Sequence, residues 1–344
     1  MLHLPANLTR QSLKLSLYLF LFLLISCDKN PGGYKYQQGH LPSSPVNLEA
    51  FNTMYDDYNS TAPSLGRLIP FCFSTNRNSS GADFDVIYQP MNVNFDKTSG
   101  VLTVINEYAN WITYADTYQV LVQCVKKVNT TGNELGPELV TEFDFNKFYF
   151  TLMYASDFSG NFQINFTSNK SNPEFSTIRP VTFLNSPFDD LYPTFSTTKT
   201  RIYFCSNRED AQFDIYYAEI PNAAANPELI LADTSQHTVG KDTVLSSNYN
   251  DKCPFIYNNF MVFTSDRPGG FGGFDLYYAR FENNSWSSPV NLGSTINSEF
   301  DEYRPILMEE GVSATETMMV FSSNRTGGKG GFDLYFVGVK LESQ

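Results

Sequence analysis

Carboxylates recur at matching places along this chain, and they are its first candidates for chemistry. Asp56-Asp57, Asp189-Asp190, Asp251 and Asp301-Glu302 each stand just before an apolar, strand-like run. Brought to one end of a fold, Asp57, Asp190, Asp251, Asp301 and Glu302 would form an acidic rim able to hold Ca²⁺ or a basic partner surface. Unlike carboxylates at such a rim could instead serve as acid and base on a glycosidic bond. Asp is also a common turn residue, so capping turns or pairing between neighbouring units is the plainer role, and no metal is assigned. A second set is Arg77 with Asp85, Arg208 with Asp214, Arg267 with Asp275, and Arg325 with Asp333. A fifth, degenerate copy has Phe158 and Gln163 in the two places. Joint loss of both charges is what a mutual ion pair predicts, because an orphaned buried charge costs several kcal/mol. Gly269-Gly270 with Gly272-Gly273, and Gly327-Gly328 with Gly330-Gly331, precede no helix and read as turns rather than phosphate cradles. With only His3, His40 and His237 in the chain, a histidine triad or a His-rich zinc centre is excluded. No catalytic residue is assigned.

The elements that carry these residues are repeated. Residues 263–279 read FTSDRPGGFGGFDLYYA and residues 321–337 read FSSNRTGGKGGFDLYFV; shorter copies lie at 204–218 and 73–89. The degenerate copy at 154–166 brings the count to five. Each unit runs from an acidic loop through two apolar strands, a Gly-rich turn and an FDLYY strand to a last strand. That order is a four-stranded antiparallel meander, the blade of a propeller. Ser287-Ser288-Pro289-Val290-Asn291-Leu292 closes the fourth unit, and the same six letters recur at Ser43 to Leu48, ahead of the first. The fifth unit lacks a last strand, so the N-terminal strand is expected to complete the C-terminal blade and close the ring. The expected fold is all-β: a five-bladed β-propeller over residues 43–344. No convincing amphipathic helix is read anywhere. A longer step between the first and second units places an insertion around residues 106–136. Its Trp111, Tyr114 and Tyr118 break the symmetry and are candidates for binding, as asymmetric loops on a regular scaffold often are.

The N-terminus reads differently. Arg10 and Lys14 precede an apolar stretch over residues 15–25, too short to span a bilayer, and mark a secretory signal over residues 1–26. Leu24-Ile25-Ser26-Cys27 resembles the bacterial lipobox, which implies a lipidated Cys27 followed by a flexible Gly/Pro-rich tether over 27–42. Loss of the signal leaves 21 basic against 36 acidic residues, a formal charge of −15. Such a chain repels phosphate backbones and anionic membrane surfaces, which argues against nucleic acid and leaves the lipid as the one membrane anchor. Cys72, Cys124, Cys205 and Cys253 lack metal-type spacing. A Cys205–Cys253 disulfide is open in an oxidising compartment.

The units also resemble the WD40-like propeller repeat of TolB-type bacterial proteins. The resemblance rests on Ser265-Asp266-Arg267 with Asp275-Leu276-Tyr277, Ser323-Asn324-Arg325 with Asp333-Leu334-Tyr335, Ser206-Asn207-Arg208 with Asp214-Ile215-Tyr216, and Thr75-Asn76-Arg77 with Asp85-Val86-Ile87. It implies a non-catalytic binding or scaffold module of the cell envelope, with an envelope protein or a glycan as partner; together with the lipid anchor this is expected at the outer membrane. The competing expectation is a carbohydrate-active hydrolase with channel-facing carboxylates. Two unlike acids in an open channel favour the enzyme; a plugged channel favours the scaffold.

Overall fold

A computed structural model describes residues 36, 38–63, 69–107, 115–144, 147–309 and 314–341. The signal, Cys27 and most of the tether lie outside the described residues, as do Trp111 and Tyr114. Five antiparallel sheets form five blades. Their inner strands are Asp57–Thr61, Glu134–Asp144, Asp190–Phe195, Asp251–Tyr257 and Glu302–Met308. Second and third strands follow by hairpins, so the loops after the second strands and those before the inner strands share one end, the rim.

Closure is as the repeats predict. Val46–Asn47 pairs with the last third strand, Val46 opposite Phe336 and Asn47 opposite Tyr335. The rim closes the ring a second time. The backbone N–H of each inner strand's first acid donates to the carbonyl of the phenylalanine that stands just before the preceding blade's third strand. Asp57 thus bonds Phe332 at 2.8 Å, and Glu134, Asp190, Asp251 and Glu302 bond Phe84, Phe162, Phe213 and Phe274 at 2.7–2.9 Å. The glycine-rich turns exist for this contact: a Cβ at Gly272 would lie 2.0 Å from the carbonyl oxygen of Phe300, and one at Gly330 equally close to that of Tyr55.

Every inner strand also carries a residue in the left-handed region, namely Asn59, Gly136, Tyr192, Cys253 and Arg304, beside a shift in strand register. In four blades proline follows (Pro137, Pro193, Pro254, Pro305), which removes a ladder donor and fixes the bulge. Tyr, Cys and Arg hold this backbone at a cost of about 1 kcal/mol or more each. Four blades thus place a different side chain at this point (Asn59, Tyr192, Cys253 and Arg304), and the second blade, with Gly136, places none.

Two expectations are corrected. The tether is docked at its far end: Leu41 is buried, its N–H donates to Glu316 at 3.1 Å, and the Pro42 carbonyl accepts from Gly338. The insertion contains an α-helix, Ala115–Val128. Leu121, Cys124, Val125 and Val128 recur at helical spacing and are buried against Val86, Leu139 and Phe150; each large apolar residue so buried is worth about 1.5–3 kcal/mol. The helix takes over the rim-side place of an outer strand. The outer strand of blade 1, Val101–Asn106, pairs instead with the far half of a long third strand. The side chain of Asn129 then satisfies both the N–H and the carbonyl of Val86, each at 2.9 Å.

Candidate functional site

The rim comes first, because its residues were singled out by type. Asp57, Asp190, Asp251 and Glu302 are fully buried. Arg77, Arg208, Arg267 and Arg325 pair with these acids, not with Asp85, Asp214, Asp275 and Asp333: Arg208 lies 2.5 Å from Asp190, Arg267 2.5 Å from Asp251, and Arg325 2.8 Å from Glu302. The expected pairing is thus redrawn, since the Ser-Asn-Arg turn folds back on its own inner strand. Asp275 and Asp333 accept backbone N–H groups of the Gly-rich turns and the amides of Asn291 and Asn47. Asp214 meets Lys241, and Asp85 meets Asn78. The degenerate blade keeps the rim acid as Glu134, held by Thr130 and Ser156, and burial raises its pKa.

The rim carboxylates are saturated with donors. The second oxygens of Asp190 and Asp251 each accept from a serine four residues back (Ser186, Ser247), through N–H and hydroxyl. Glu302 accepts from Ser298 and Ser323, and Asp57 from Thr53 and Thr75. Asp301 accepts the N–H of Phe274 and the amide of Asn324. These acids act as staples between blades.

Along the axis the left-handed residues fill the channel. Tyr58, Tyr192, Tyr303, Cys205 and Cys253 share one cluster, and Asn59 donates to the Tyr192 hydroxyl at 3.3 Å. Gly136 makes room for Tyr192, whose ring atom would stand 2.4 Å from a Cβ there. Arg304 is wholly buried and ties three blades: it donates to the carbonyls of Pro254 at 3.0 Å and Pro137 at 3.3 Å, and lies 3.5 Å from Glu138. The channel is plugged at this level. Burial pushes the Cys205 thiol up to about 12 and that of Cys253 higher; both are free, so the disulfide weighed from sequence is not formed.

Glu138 is the functional candidate that spacing alone did not single out. It stands two residues beyond Gly136, on the far side of the plug from the rim. Thr61, Thr194, Phe255 and Ile306 hold the matching places in the other blades. Its side chain is 13% exposed. Burial raises its pKa from the ordinary 4.5 to about 7, against the opposing pull of Arg304 and a hydrogen bond with Thr194. Aligning the residue-proline pairs at 136, 192, 253 and 304 would have exposed it as the odd acid. Tyr118 falls in the helix Ala115–Val128. The side chain of His237 is buried, its ring stacked 4.0 Å from that of Phe183, with the ring nitrogens on the Glu219 carbonyl and Asp233.

No protein-family model matches the chain, and no curated protein matches it. Solved structures do. An α-L-arabinofuranosidase of Podospora anserina, in complex with cellotriose, is similar over 89% of this chain and 98% of its own, with a TM-score of 0.50 and 11% identity. The Bacteroides ovatus xyloglucan PUL protein GH43B is similar over 87% of this chain and 55% of its own, at 0.50 and 14%. A further glycoside hydrolase is similar over 91% and 93%, at 0.50 and 8%. At such identities the likeness is one of fold. It still corrects the expectation of a non-catalytic TolB-type scaffold: the matching propellers are glycoside hydrolases by name, and the ground for reading the chain as no enzyme falls with it.

Proposed function

We propose that this propeller is a carbohydrate-active hydrolase in which Glu138 gives its proton to the leaving oxygen of a glycosidic bond. The observation that carries the reading is an inner-strand carboxyl that has no acidic counterpart at the matching place of the other four blades, held 3.5 Å from a buried guanidinium. A general acid works best with a pKa near the working pH, and Glu138, at about 7, keeps much of its proton at neutrality. Arg304, 3.5 Å away, then steadies the carboxylate left behind. The bond between the anomeric carbon and the aglycone oxygen breaks, the oxygen takes the Glu138 proton, and water supplies hydroxide to the sugar. A second carboxylate of unlike environment must take the water's other proton or attack the sugar. Glu309, exposed at the end of the last inner strand on the same side of the plug, is assigned that part.

The test is sugar release from aryl α-L-arabinofuranosides, cellotriose and xyloglucan oligosaccharides, classes suggested by the similar structures. Glu138→Gln should lose about 10²–10⁴-fold in kcat on the oligosaccharides. It should lose less on aryl substrates, whose leaving groups need no proton. A wild-type chain that cleaves none of these, or a Glu138→Gln variant as active as wild type, sinks the proposal. We further propose that Cys27 is lipidated and tethers the propeller to the cell envelope; radiolabelled palmitate incorporated into wild type but equally into Cys27→Ser would refute this.

A further inference from the structure

We infer that the rim-side mouth of the channel binds an acidic sugar residue, with Lys252 as its charged contact. Each blade sets one phenylalanine at this mouth: Phe84, Phe162, Phe213, Phe274 and Phe332, all partly exposed. Tyr58 and Tyr303 stand between them, with ring centroids 4.9 Å from Phe332 and 5.0 Å from Phe274 respectively. The residues that follow the five rim acids are Tyr58, Leu135, Leu191, Lys252 and Tyr303. Four are apolar or aromatic; blade 4 alone supplies a cation. The Lys252 ammonium lies 4.2 Å from the ring centre of Phe213, 5.6 Å from Phe274 and 6.0 Å from Tyr303. Among the described residues no carboxylate pairs with it, and the adjacent Asp251 is already engaged by Arg267 and Ser247. The mouth therefore offers aromatic surface around one uncompensated positive charge.

Both features select the ligand. Partly exposed aromatic rings take the C–H face of a pyranose, a large apolar contact with little entropy to lose. A half-desolvated ammonium favours a carboxylate over neutral hydroxyls. A uronic acid carries both groups on one ring, whereas a neutral sugar leaves the charge unanswered and a small anion leaves the rings unused. The plug of Tyr192 and Arg304 separates this mouth from Glu138, so this is a holding site and not the proposed reaction centre. It rests on the carbohydrate reading only for the class of ligand.

Titration calorimetry on the full chain with trigalacturonate, xylotriose and acetate decides it. Trigalacturonate should bind at least about tenfold more tightly than xylotriose or acetate, with affinity falling as salt rises from about 50 to about 300 mM. Lys252→Met should weaken it by about tenfold or more, while Lys252→Arg should retain it, and serves as the test if the Met variant does not fold. Glu138→Gln should bind as wild type even with hydrolysis abolished, so failure of the hydrolase reading leaves this result standing. Absence of binding, equal binding of xylotriose or acetate, unchanged binding by Lys252→Met, or loss of binding by Lys252→Arg overturns the inference.

Discussion

Replacing Glu138 by glutamine should stabilise the protein at alkaline pH and leave it unchanged in acid. The carboxyl is pushed up to about 7 from an unfolded value of 4.5. Between these values the folded state holds a proton that the unfolded chain has released, so folding stability falls as pH rises through the window. Below about pH 4.5 both states are protonated and glutamine is nearly isosteric with the neutral acid. Above about pH 8 the wild type carries a buried carboxylate whose desolvation outweighs its attraction to Arg304, and the difference amounts to about 3 kcal/mol. Urea titrations of wild type and Glu138→Gln at pH 5, 6.5 and 8.5 read it directly, with the gap opening in favour of the variant as pH rises. A gap that stays flat, or one that turns against the variant at pH 8.5, would show that Arg304 holds the carboxylate in its ionised form. The proton donor assigned to the channel would then be missing at neutral pH.

Other outcomes follow from the rim and the seam. Arg267→Met should cost about 3 kcal/mol by orphaning the buried Asp251, whereas Glu134→Gln, with no arginine to strand, should cost about 1 kcal/mol; guanidinium melts compare them. Millimolar Ca²⁺ should leave the melting temperature unmoved, since every rim carboxylate oxygen already accepts protein donors; a rise of several degrees would contradict this. Asn52→Ala should cost about 1–2 kcal/mol by leaving the buried N–H of Leu334 unanswered, while the Leu334 carbonyl keeps the N–H of Leu48, and hydrogen exchange should quicken first in the last blade.

Blade number, strand order and closure were legible because they rest on repetition, and each copy of the FD-x-Y unit checks the others. Partner identity was not. The joint loss of Arg and Asp at Phe158 and Gln163 suggested that the two bonded each other, yet both losses follow separately, one from the rim acid becoming Glu134 and one from Gln163 bonding the carbonyls of Ser186 and Phe188. The helix Ala115–Val128 was hidden among strand-like aromatics although its buried positions keep helical spacing. Glu138 was passed over because interest fell on acids that repeat, while the channel acid is the one that does not. The aromatic mouth was missed for the opposite reason. Its phenylalanines repeat so regularly that they read as core, and only the fold shows their faces partly open.

Arg304 comes from the last blade to leave the ribosome, yet it bonds carbonyls in blades 2 and 4. The closing strand, at the opposite extreme, meets its partner only across a sequence separation of 286, as the bond from Asn47 to Asp333 shows. Hairpins within each blade can form early from local contacts, but the axis and the seam are contacts of the highest sequence separation and pay their loop entropy last. A chain stopped short of Arg304 would hold four blades around an unfilled hole, with residues 43–48 still searching for an edge. Assembly of this ring should therefore end in one late, slow step in which hub and seam lock together.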